Sequence, residues 1–205
     1  YVWGREFISK HPKEPREMEI EKHWYNFMLW GRMGYNPDMP VERIKGMLSL
    51  HYPGADIDAL YAAWAVASGI PSQVTRFHWH NWDFQWAVEG CLDLRNGFHT
   101  VEDFITNPVI EGKNLLTIPE YVQLQKNEEK TGGTTPMDVS DKLDSMASQV
   151  LTFTNSQQRS EGEISDSYDE LIYDLRAWAY MGKYYAYKIR AAYFLHAYRE
   201  NYDNS

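Results

Sequence analysis

The run from Ser167 to about Arg199 limits the fold of this chain more than any other feature. Tyr168, Leu171, Ile172, Leu175, Trp178 and Ala179 recur at the three- and four-residue spacing of one helix face. Tyr185, Ile189, Ala192 and Leu195 carry the stripe past Gly182, a position open to a kink or break, and the helix on to about Arg199. Ser167 followed by Glu170 has the form of a capping box, so the long helix has a start signal as well as a stripe. A helix of this length needs helical neighbours to cover its apolar face.

Those neighbours are legible. A helix is expected from about Glu17 to Met33, with Ile20, Trp24, Phe27 and Met28 on one face and acidic residues near its start. Gly34 and Asn36-Pro37 end it. A second runs from Pro40 to about Leu50. A third begins at the cap residue Asp56, carries Ile57, Leu60, Tyr61, Trp64 and Ala65, and is expected to stop near Ser68 because Gly69 and Pro71 follow. Thr100-Val101-Glu102-Asp103 opens a short helix, and another is expected over Glu120 to Gln125. Thr135-Pro136 then starts a helix striped by Val139, Leu143, Met146 and Val150. Strand signals are nearly absent and no repeat of 20–50 residues recurs. The expected fold is all-α: a bundle or orthogonal array of five to seven helices with a short extended N-terminal segment.

The chain reads as a single helical domain over 1–205, excised from a longer protein. It opens at Tyr1 without Met or a charged-then-apolar leader. Residues 1–16 are expected to be an exit segment from a missing upstream domain, and the polar stretch 127–135, with Gly132-Gly133, a mobile loop or linker.

Charge excludes some partners. The net charge of -9 argues against nucleic acid, whose phosphates want a basic face, and against an anionic membrane surface. No apolar run approaches the roughly 20 residues that span a bilayer. The single Cys91 excludes an internal disulfide framework. It is expected on a helix, as a small buried hydrophobe. No phosphate-cradling Gly loop, metalloprotease helix, Ser nucleophile elbow or paired-Cys metal site is present.

Chemistry concentrates in Arg76-Phe77-His78-Trp79-His80-Asn81-Trp82-Asp83-Phe84-Gln85-Trp86. Three readings stay open. Trp79, Trp82 and Trp86 share one face if helical, which suits a buried aromatic core element with the His and Asp side chains satisfying each other. The same rings could stack on sugar C–H faces while His80 and Asp83 serve the hydroxyl rim, making a carbohydrate platform. His78, His80 and Asp83 could also ligate zinc or iron, although their spacing matches no strong template. A second cluster, Trp3, Arg5 and Glu6, is either an exposed strand or the rim of an active site completed upstream. Tyr180, Tyr184, Tyr185, Tyr187, Tyr193 and Tyr198 cover more than one face of the last helix, for burial or for an interface.

The stretch Tyr25-Asn26-Phe27-Met28-Leu29-Trp30-Gly31-Arg32-Met33-Gly34-Tyr35-Asn36-Pro37-Asp38 resembles the start of the helical C-terminal domain of α-glucuronidase-type glycoside hydrolases. Gly182 to Ala192 is similar to a helix near the end of such domains. The resemblance covers about half the chain in short blocks. It implies an accessory domain that packs on a (β/α)₈ barrel, helps to shape its carbohydrate cleft and often mediates dimerisation. The catalytic carboxylates of such enzymes lie on barrel strands, so no catalytic residue, metal ligand or cofactor is expected in this chain. Trp3, Arg5, Glu6, Trp79, His80, Trp82, Asp83 and Trp86 are the candidate cleft-lining residues. Expected partners are the upstream barrel, carbohydrate and a second copy, and the resemblance implies an extracellular or periplasmic parent. The alternative is a helical protein-interaction or dimerisation module that binds no sugar.

Overall fold

The computed structural model describes residues 23–79, 86–157 and 166–202, which fall into two compact units, 1–53 and 54–205. The described residues form seven helices and one small sheet, so the all-α expectation holds.

In the first unit, α1 (Trp24–Tyr35) and α2 (Val41–His51) are joined by a turn at Asn36-Pro37. Asn36 Oδ1 accepts from the Asp38 amide at 3.1 Å, which closes that turn. Pro40 is extended and caps α2 from outside the helix instead of being its first residue. The Trp24 indole stacks on His51 with centroids 3.9 Å apart and donates Nε1–H to Tyr52 Oη at 3.3 Å. Ile44, Leu48 and Tyr52 are buried. The expected helical residues 17–22, like the exit segment 1–16, lie outside the described residues.

The second unit contains α3 (Ile57–Phe77), β1 (Trp86–Ala87), β2 (Leu92–Asp93), β3 (Gly97–Phe98), α4 (Val101–Thr106), α5 (Ile118–Lys126), α6 (Pro136–Ser156) and α7 (Asp166–Tyr202). The helix starts follow local chemistry. Thr100, Thr117 and Thr135 each form a reciprocal capping box with an acid three residues on. Asp56 caps α3 by accepting from the Ala59 amide. With 37 residues, α7 is about 55 Å long at 1.5 Å per residue. It packs along α6 and also meets α3, α4 and α5. The core gathers Ile70, Val74 and Phe77 of α3, Leu143 and Met146 of α6, and Tyr185 and Ile189 of α7, with Phe104 and Ile118 from the short helices.

One expected break is absent. Helix α3 does not stop near Ser68; it runs through Gly69 and Pro71 to Phe77. Burial decides this, because Ile70, Val74 and Phe77 lie on the core face beyond the punctuation. The hydroxyls of Ser72 and Thr75 hydrogen-bond the carbonyls of Gly69 and Pro71 around the interruption. Gly69 serves close packing: a Cβ there would lie 2.8 Å from Met146 Cε. Helix α7 runs unbroken through Gly182, as its long stripe predicts. A Cβ at Gly182 would lie 3.2 Å from both Ala147 Cβ and Ile70 Cδ1, so this glycine lets three helices approach.

The segment after α3 departs from the helical expectation. Residues 86–98 form a three-stranded antiparallel sheet, with Ala87 opposite Leu92 and Leu92 opposite Phe98. Cys91 therefore lies in a turn at φ 51°, not on a helix. Asp93 nucleates the second turn by accepting from the amides of Arg95 and Asn96, and Gly97 follows at φ 73°. Residues 132–134 run against 114–116. Thr134 N donates to Asn114 O at 2.8 Å, and Leu116 N to Thr134 O at 3.0 Å.

Candidate functional site

The densest polar chemistry among the described residues is buried where the small sheet meets α7. It begins at Asp93, whose carboxylate accepts from the amides of Arg95 (2.7 Å) and Asn96 (2.6 Å) and from the ring Nε2 of His99. Burial acts to raise the Asp93 carboxyl, but these hydrogen bonds and the His99 ring outweigh it and hold the pKa at about 2. His99 Nδ1 lies 2.6 Å from His78 Nε2, so the two rings share one proton between them. The side-chain amide of Asn107 lies 3.1 Å from the same His78 nitrogen. The other face of His78 stacks on Phe104, centroids 4.0 Å apart and planes within 6°.

Lys188 meets this chain from α7. Its Nζ donates to the His99 carbonyl, to Cys91 Sγ at 3.2 Å and to Tyr184 Oη at 2.8 Å, which uses all three of its N–H bonds. The rings of Phe98, Phe104 and Tyr184 lie 4.5–5.2 Å from it, a cation–π enclosure that helps to replace lost water. Tyr185 Oη donates to the Val88 carbonyl at 2.6 Å. Burial, reinforced by neighbouring Cys91, pushes the phenols of Tyr184 and Tyr185 above the ordinary tyrosine range.

Asp93, His99 and His78 have the order of a proton relay. Each is 2% exposed, and the far end of the relay abuts Asn107 and Phe104. Cys91 and Lys188 are buried as well. Such a network ties a short, weak sheet to a long helix. Sequence reasoning singled out His78 and missed Asp93, His99, Asn107 and Lys188. Only Lys188 carried a local signal: it sits on the buried stripe with Tyr185 and Ala192, a charge on an apolar face.

The candidate residues chosen from sequence are dispersed. Trp3, Arg5, Glu6, His80, Trp82 and Asp83 lie outside the described residues. Trp86 opens β1, and its side chain is outside the description. Trp79 is half-buried just after α3, its amide donating to the Pro108 carbonyl at 3.0 Å. Among the described residues no three or more His, Cys, Asp and Glu side chains are grouped to hold a metal ion, and no helix is long and apolar enough to cross a membrane.

An open groove of about 690 Å³ runs between α5 and α7. Leu116, Pro119 and Val122 give it apolar walls, and Glu120, Glu129 and Glu200 border it. Glu120 is spent on its capping box and Glu200 pairs with Lys126 at 3.6 Å, so the border is acidic but internally engaged. No family model, curated protein or solved structure matches the chain.

Proposed function

We propose that this chain is a non-catalytic, all-α accessory domain of a multidomain glycoside hydrolase, packing on an upstream (β/α)₈ barrel and lining its carbohydrate cleft. The observation that carries the reading is the aromatic surface around the block that resembles α-glucuronidase-type helical domains. On α1 and its C-terminal turn, Trp30 is 82% and Tyr35 95% exposed, and Phe27 is exposed beside them. Open rings of this size suit either the wall of a neighbouring domain or the apolar faces of sugar rings.

Tryptophan fluorescence during an oligosaccharide titration tests the reading. A shift at millimolar sugar, lost in Trp30→Ala, with no glycosidase turnover by the isolated chain, is the expected result. No shift at millimolar sugar transfers the function to a protein-interaction module, the second reading, which the exposed tyrosines of α7 favour. Turnover abolished by Glu6→Gln or Asp83→Asn overturns the non-catalytic assignment.

A further inference from the structure

Between Tyr173 and Tyr198 the exposed positions of α7, apart from Asp174, are Tyr173, Ala177, Tyr180, Tyr184, Tyr187, Ala191, Phe194 and Tyr198. The steps alternate between four and three residues, the 3.5-residue period of a coiled-coil seam. This is a different face from the one that fills the core, which carries Leu175, Ala179, Tyr185, Ile189 and Ala192. The seam contains no charge, although charged residues make up 24% of the chain. Its six aromatics are 41% to 66% exposed.

We infer that the occupant of this seam is the same seam of a second copy, running antiparallel. The order of large and small residues selects that arrangement. A two-fold axis between Tyr184 and Tyr187 sets Ala177 opposite Phe194, Tyr180 opposite Ala191, Tyr184 opposite Tyr187 and Tyr173 opposite Tyr198. Each alanine then receives an aromatic ring, and each layer pairs the two seam positions as antiparallel coiled coils do. A parallel pair would instead stack alanine on alanine and tyrosine on tyrosine, giving voids next to crowding. Sliding the antiparallel pair by one heptad leaves seam residues uncovered at the ends.

The flank and the area agree. A two-fold axis places the basic flank of α7 against itself, and that flank is already engaged on its own chain. Lys183 pairs with Asp144 at 2.8 Å, Arg190 with Asp141 at 2.7 Å, and Arg176 donates to the Thr154 carbonyl. Arg176 and Arg190 also lie over the rings of Tyr173 and Tyr187, which holds those rings in place along the seam. With about half of roughly 200 Å² per ring still open, the seam offers on the order of 700 Å² per copy, near the roughly 800 Å² per partner of a stable interface. The isologous contact closes on itself and makes a dimer, not a filament. This inference does not rest on the carbohydrate reading.

Sedimentation of the chain at tens of micromolar should give twice the monomer mass. Ala177→Glu and Tyr187→Glu, at positions exposed in the monomer, should each return it to a monomer with unchanged far-UV circular dichroism. Register is read by cross-linking under a mild oxidant. The double variant Tyr180→Cys, Ala191→Cys should give a disulfide-linked dimer, whereas Ala191→Cys alone should not, because the two copies of residue 191 lie about 16 Å apart in this register. A monomer at all concentrations overturns the inference, as does a dimer that survives the glutamate variants. Cross-linking through Ala191→Cys alone overturns the antiparallel arrangement.

Discussion

The hydroxyl of Tyr185, in the middle of α7, donates to the backbone carbonyl of Val88, 2.6 Å away and 97 residues earlier in the chain. Both residues are buried, and Tyr185 has no exposed surface. This bond anchors the start of the small sheet to the longest helix.

Tyr185→Phe should therefore destabilise the protein by about 1–3 kcal/mol, since it leaves the Val88 carbonyl without its donor in a dry site. At about 2–4 °C per kcal/mol the loss is readable in a thermal melt. Tyr35→Phe, at a residue 95% exposed, should stay within about 0.5 kcal/mol of the parent. Equal melting of the two variants would show that the Tyr185 bond contributes nothing.

The Asp93 carboxyl predicts an acid-side loss of stability. Its folded pKa of about 2 lies below the ordinary 3.8, so the unfolded chain takes up the proton first as pH falls. The contribution is fully present above about pH 4 and disappears as pH drops through 2. Urea midpoints between pH 5 and pH 2 should fall less steeply in Asp93→Asn than in the parent. Some slope should survive in that variant, because Asp103 is also held below its ordinary value, its hydrogen bonds with Thr100 overcoming the opposing effect of burial. Parallel slopes in parent and variant would refute the assignment.

Adjacent glycines give a matched test of backbone approach. A Cβ on Gly133 would sit 2.6 Å from the Asn114 carbonyl oxygen, a backbone atom that cannot step aside, whereas a Cβ on Gly132 meets nothing within 4 Å. Gly133→Ala should cost about 1–3 kcal/mol as an overpacked site. Gly132→Ala should be neutral or slightly stabilising, because it restricts the unfolded chain. Chemical denaturation of both variants decides this, and an equal effect would mean that the 114–116 and 132–134 segments are not held together.

The helix starts were legible because their chemistry is local. Thr135, Pro136 and Asp138 are neighbours in sequence, and the same three-residue reach marks Thr100 with Asp103. The break at Gly69 and Pro71 was misread because a glycine that ends a helix and one that admits a neighbouring helix look the same in one dimension. The sheet was missed because two-residue strands have no measurable period. His78 was noticed for its aromatic surroundings. Its ring partner lies 21 residues away and its carboxylate at one further remove, a distance no spacing rule covers.

By itself the sequence determined that this chain is helical, where most of its helices begin, and which face of α7 enters the core, because caps and stripes act over one or two turns. Tertiary structure alone decided that Gly69 and Pro71 lie inside a helix and that Asp93, His99 and Lys188 meet in a buried pocket. It also decided that a second, uncharged seam of α7 stays open. Each of these depends on which surfaces are already covered by distant parts of the chain.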